Sequence, residues 1–110
     1  MHLLLAVVVA VSGLQGLVTK GPTTPVCRVG RPCTAPAQVT LLFRRPLPGA
    51  RTYRTRSGAD GRYRILLPPG FYAVTTVEKI GIGRNIRPGR VHVRAAHVDR
   101  LDFAIDTGIR

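Results

Sequence analysis

The stretch SGADGRYRILLPPGFYAV, Ser57 to Val74, decides how the rest of the chain is read. It holds two turn signals and two β-like stretches within 18 residues. Asp60-Gly61 is a hairpin-type turn pair, because both residues tolerate the backbone angles that tight β-turns need. Pro68-Pro69-Gly70 is a second turn. Between them, Arg62 to Ile65 alternates polar and apolar residues, and Phe71 to Val74 follows the second turn as a β-like stretch. A period of two is what a half-buried strand requires.

The same period recurs outward in both directions, and no stretch sustains a helical period. Residues 14–20 form a candidate first strand, with Leu14, Gly16 and Val18 on one side. Residues 21–37 carry Pro22, Pro25, Pro32 and Pro36, a density that excludes helix and central strand. Residues 38–44 place Val39, Leu41 and Phe43 on one face. Residues 51–56 and 62–67 flank the loop 57–61 and read as a hairpin. Residues 71–78 follow the Pro-Pro-Gly turn, and residues 79–89 read as a glycine-rich loop. Residues 90–94 put Val91 and Val93 inward, and residues 98–106 do the same for Leu101, Phe103 and Ile105. Seven short strands with frequent turn signals predict an all-β, antiparallel sandwich. The expected core is Leu41, Phe43, Tyr63, Ile65, Val74, Val91, Leu101 and Phe103. Tyr72 follows a corner, where its hydroxyl can bond back to upstream backbone, as in a tyrosine corner, or sit as an ordinary core tyrosine.

The run Asp60-Gly61-Arg62-Tyr63-Arg64-Ile65, followed by Leu67-Pro68-Pro69-Gly70-Phe71-Tyr72-Ala73-Val74, resembles the carboxypeptidase regulatory-like domain. The likeness covers roughly residues 14–110. It includes Gly16-Leu17-Val18 and the closing Leu101-Asp102-Phe103-Ala104-Ile105-Asp106-Thr107-Gly108. The resemblance implies a transthyretin-like (prealbumin-like), seven-stranded Greek-key β-sandwich, and an accessory module without catalysis or a fixed ligand. One enzyme family, 5-hydroxyisourate hydrolase, shares that fold and ends in Tyr-Arg-Gly-Ser. This chain ends in Asp106-Thr107-Gly108-Ile109-Arg110 and departs from it.

At 110 residues the chain is one domain, large enough to bury a core. Leu3 to Val11 is an unbroken apolar run, too short to span a membrane and suited to a signal-peptide core. Ala10-Val11-Ser12 offers small residues for cleavage before Gly13. The expected division is a signal peptide over residues 1–12 and the sandwich over 13–110, secreted or held at the cell envelope. Cys27 and Cys33 then read as one local disulfide in an oxidising compartment.

Chemistry-bearing constellations are sparse. The two serines, Ser12 and Ser57, lack a Gly-x-Ser-x-Gly context. Asp102 and Asp106 on one strand face would stand roughly 13 Å apart, beyond the reach of a carboxylate pair. His92, His97 and Asp99 fall short of a convergent zinc set. Gly81-Ile82-Gly83-Arg84 begins like a phosphate loop but lacks the third glycine and the following helix. No enzyme activity, metal or cofactor is expected.

Charge gives the clearest functional lead. Lys+Arg is 17 against 5 Asp+Glu, a formal net charge of +12. GC-rich codons supply arginine too, but such a balance attracts anions. The hairpin pairing expected of residues 51–56 and 62–67 sets Arg56 opposite Arg62 and Arg54 opposite Arg64, an outward anion-binding patch. Arg44 and Arg45 extend it. The expected partner is an anionic glycan or cell-envelope polymer. Nucleic acid is the alternative, disfavoured because the base-stacking aromatics of single-strand binders are missing, Tyr53, Tyr63 and Tyr72 all falling on core faces, and because export argues against it. A protein-binding or inhibitory module acting through its loops is the third reading.

Overall fold

A computed structural model describes residues 10–23, 33–78 and 85–108. Among them the chain forms strands only. These are β1 (Gly13–Gly21), β2 (Ala35–Pro36), β3 (Thr40–Arg44), β4 (Thr52–Arg56), β5 (Arg62–Leu66), β6 (Gly70–Thr76), β7 (Asn85–Arg87), β8 (Arg90–Val93), β9 (Val98–Arg100) and β10 (Phe103–Asp106). Each of the seven segments read from the alternation contains an observed strand.

The strands make two sheets. In the first, β1 is the central strand. Its first half pairs with β5 on one side and β9 on the other, and its second half pairs with β2 and β10, with β7 beyond β10. The second sheet has the order β4-β3-β6-β8 and is antiparallel throughout. The first sheet departs from the expected antiparallel arrangement, because β1 runs parallel to both β9 and β10. Alternation reports which face a residue takes and carries no information on strand direction. Segment 98–106 is also divided. β9 ends at Arg100, and the Asp102 carboxylate caps the Leu17 N–H at 2.9 Å where a ladder bond would otherwise run. Gly16 lets the strands close here, since a Cβ on it would lie 2.2 Å from the Leu101 carbonyl oxygen.

Side chains from both sheets fill the space between them. Leu14, Val18, Tyr63, Ile65, Ile86, Phe103 and Ile105 come from the first sheet; Leu41, Phe43, Tyr72, Val74, Val91 and Val93 come from the second. Seven of the eight expected core residues are buried, while Leu101 is half-buried against the cluster. Phe103 bridges the layers, with its ring 6.1 Å from Phe43 and 5.3 Å from Tyr63. Burial pushes the Tyr63 phenol well above its ordinary pKa, Asp102 adds to the shift, and the hydroxyl donates to the Leu101 carbonyl.

The first turn of the opening stretch does a different job from the one expected. Asp60-Gly61 does not close a hairpin, because β4 pairs with β3 and β5 pairs with β1. It carries the chain from one sheet to the other. Gly61 has φ +82°, its N–H donates to Gly58, and its carbonyl accepts the Val18 N–H at 2.7 Å. Ser57 fixes the crossing. It is 1% exposed, donates to the Ala37 carbonyl at 2.6 Å and accepts the Val39 N–H at 2.8 Å. The Pro68-Pro69-Gly70 turn crosses back between β5 and β6. There the Tyr72 hydroxyl donates to the Pro68 carbonyl four residues upstream at 2.6 Å, which is the corner bond of the first of the two readings of Tyr72. Arg45 locks it, donating to the Pro69 carbonyl at 2.7 Å and to the Tyr72 hydroxyl at 3.3 Å.

The signal-peptide segment lies outside the described residues except for 10–12. Cys27, and with it the Cys27–Cys33 bridge, lies outside them too, as do Lys79 and the Gly81-Ile82-Gly83-Arg84 run.

Candidate anion-binding face

The four arginines of the expected patch do not share a face. Arg54 and Arg56 point outward from β4 on the second sheet, opposite Leu42 and Thr40 of β3. Arg62 and Arg64 point outward from β5 on the first sheet, opposite Leu17 and Gln15 of β1. The inward or outward phase of all four is as read, but the Arg54–Arg64 and Arg56–Arg62 pairings do not form. The strands touch through the Thr55 hydroxyl, which donates to the Arg64 carbonyl at 3.1 Å. A hairpin and a sheet crossing use the same turn residues, so sequence alone did not separate them.

Both outer faces hold paired and unpaired arginines, and on the first sheet exposed Arg64 and Arg87 have no acidic partner among the described residues. On the first sheet, Arg62 lies 3.6 Å from Asp60 and Arg100 lies 3.5 Å from Asp102. The Asp102 carboxyl is held below its ordinary pKa, chiefly by the Leu17 N–H and also by Arg100. On the second sheet, Arg56 donates to Glu78 at 2.9 Å and to the Thr40 hydroxyl at 3.3 Å. Burial pushes the Glu78 carboxyl up, yet hydrogen bonds from the Thr40 N–H, its own N–H, the Thr40 hydroxyl and Arg56 outweigh this and lower its pKa. Arg94 grips Asp99 with two bonds of 2.6 and 3.0 Å, and this fork holds the Asp99 carboxyl low. Asp106 accepts the Gly108 N–H at 2.9 Å. All five acidic side chains of the chain are thus engaged.

Arg44, Arg54 and Arg90 remain on the outer face of the second sheet, exposed and without an acidic partner among the described residues. The register sets Arg44 opposite Ala73 and Ala73 opposite Arg90 in one cross-strand row. Two strand spacings separate the Cα atoms of Arg44 and Arg90, about 10 Å. Repulsion at that distance is only about 0.4 kcal/mol in water, and salt screens it further. A phosphate or carboxylate at about 4 Å gains about 1 kcal/mol per arginine in water, and more where water is excluded. Contact with an anion therefore outweighs the cost of holding these charges together.

Beside this row Phe71, on β6, is 66% exposed and stacks on His92 of β8, with ring centroids 4.4 Å apart and planes 18° from parallel. Exposed Ala73 leaves a shallow hollow next to them, lined also by Arg44, Arg45, Pro46, Leu47 and Pro48. Of these residues, the sequence had offered Arg44 and Arg45. Arg45 lines the hollow, but its guanidinium is engaged by the Pro69 carbonyl and the Tyr72 hydroxyl at the tyrosine corner. Phe71 and Arg90 were missed, although the β6 alternation that buries Tyr72 and Val74 also turns Phe71 outward. Among the described residues no group of three His, Cys, Asp or Glu stands close enough to hold a metal ion. Against protein-family models, curated proteins and solved structures, the chain matches none.

Proposed function

We propose that the chain is a non-catalytic, exported β-sandwich module that holds anionic polymers against the outer face of its β4-β3-β6-β8 sheet, at or near the cell envelope. The observation that carries this reading is the position of Arg44. Charged residues on edge strands guard a sheet against edge-to-edge pairing, and that role would account for Arg54 on β4 and Arg90 on β8. Arg44 lies on β3, inside the sheet, where no edge needs guarding. Its planar fork suits phosphate and carboxylate oxygens.

The finer fold belongs to the same proposal. With β9 and β10 taken as one segment, the strands read from sequence fall into the orders β5-β1-β10 and β4-β3-β6-β8. Together with the tyrosine corner, this order supports a transthyretin-like Greek key of the carboxypeptidase regulatory-like kind. Non-catalytic character is supported by the use made of the reactive groups. Ser57 is a buried clasp, and the carboxylates hold arginines and backbone N–H groups. The apolar run of residues 3–11 supports export.

The test removes Arg44, Arg54 and Arg90 together by substitution with Thr, which keeps strand propensity. The control replaces Arg62, Arg64 and Arg100 with Thr, an equal change of charge on the opposite face. Retention on an immobilised polyanion at moderate salt should fall much further in the first variant. Equal loss would leave bulk charge alone. Intact mass of the natively expressed product tests export, with removal of residues 1–12 expected.

A further inference from the structure

We propose that this face is a platform for single-stranded nucleic acid, with Phe71 stacking one base while Arg44, Arg54 and Arg90 hold the neighbouring phosphates. The proposal rests on the polyanion reading above and adds a second chemistry to it.

Phe71 is the reason. Its 66% exposure leaves a large apolar ring in water on a strand in the interior of the sheet, where no edge or core contact requires it. His92 covers one side of the ring, so the exposed surface is the opposite side and the edges. The stack also fixes the ring's orientation before any ligand arrives, which reduces the ordering cost of binding. The charges lie within reach. Arg90 is the diagonal neighbour of Phe71 across the β6–β8 pair, about 7–8 Å away between backbones. Ala73, two residues along β6 on the same face, keeps the ground between Arg44 and Arg90 low enough for a chain to lie on it.

This combination of an open sheet face, an exposed aromatic ring and flanking arginines matches what single strands need. Unpaired bases offer flat π-surfaces to Phe or His, and phosphates bind Arg. In a duplex the bases already stack on each other and give Phe71 nothing. An acidic glycan supplies the charges without a flat π-system. The argument from core-facing tyrosines that set nucleic acid aside does not reach Phe71, which faces the other way.

Fluorescence anisotropy with three probes tests the proposal: a twelve-nucleotide oligothymidylate, an abasic strand with the same number of phosphates, and a duplex of the same length. The oligothymidylate should bind more tightly than the other two. Phe71→Ala should weaken it by roughly 5- to 150-fold, the usual range for one stacked base, and leave the abasic strand nearly unchanged. Phe71→Leu, which keeps apolar bulk on the strand, should behave like Phe71→Ala, and circular dichroism confirms that both variants fold. Removing Arg44, Arg54 and Arg90 should weaken both single strands and flatten the log K against log salt slope by about 2. If the abasic strand or the duplex binds as well as the oligothymidylate and Phe71→Ala changes nothing, the base platform is overturned while polyanion binding stands. If no probe binds, the polyanion reading fails and takes this one with it.

Discussion

Phe103→Ala probes the contact between the two sheets. The side chain is 1% exposed and touches Phe43 from the second sheet and Tyr63 from the first. Removing a buried phenylalanine ring costs about 3–5 kcal/mol, from lost burial plus the cavity left behind. Two aromatic contacts, each contributing about 0.5–1.5 kcal/mol beyond area, place this site toward the upper end. A domain of this size has a total stability of about 5–15 kcal/mol, so about a quarter or more of it should disappear. At about 4–8 °C per kcal/mol, the melting temperature should fall by roughly 15–40 °C. The assay is urea unfolding, in which the midpoint should drop while the slope stays constant. Phe71→Ala is the matched control, since it deletes the same ring from an exposed site where only the stack on His92 is lost, and should cost about 0.5–1.5 kcal/mol. Equal costs for the two substitutions, or a loss below about 1 kcal/mol for Phe103→Ala, would refute the sandwich core as drawn.

Three further outcomes are expected. Tyr72→Phe removes the corner hydrogen bond to Pro68 and should destabilise by about 0.5–1.5 kcal/mol in the same assay, whereas Tyr53→Phe should cost less. Glu78, Asp99 and Asp102 have lowered pKa values in the folded chain, so their stabilisation is present above their ordinary values. It is lost as pH falls through the folded values. Melting temperature followed against pH should therefore hold from neutrality to about pH 5 and decline below about pH 4, and Glu78→Gln should remove part of that decline. Thiol titration of the exported, folded protein should find no reactive cysteine if Cys27 and Cys33 are bridged; two reactive thiols would count against both the bridge and export.

The sequence displayed faces well and partners poorly. Alternation in Arg62–Ile65 shows which side chains enter the core, because the strand is half-buried and the pleat has a period of two, whereas Gly70–Thr76 alternates in burial but runs apolar from Phe71 to Val74 in sequence, so the outward turn of Phe71 was hidden. The Tyr72 corner was legible as one of two readings because it is local, spanning four residues. Pairing was not legible. Asp60-Gly61 has the chemistry of a tight turn whether the next strand folds back beside the last one or crosses to the other sheet. That choice is made by contacts distant in sequence, such as Val18 N–H to the Gly61 carbonyl and Ser57 to Ala37. For the same reason the expected patch of Arg54, Arg56, Arg62 and Arg64 divided between two faces. Arg44, Ala73 and Arg90 come together only through the β3–β6–β8 register.

Amide chemical-shift mapping during titration with inorganic polyphosphate tests the central claim most directly, since that ligand carries charge and nothing else. The account predicts that shifts cluster on the second sheet, at Arg44, Arg54, Ala73, Arg90 and His92, and saturate together. Shifts centred on Arg62, Arg64 and Arg100, or spread evenly over the arginines without saturating, would contradict it.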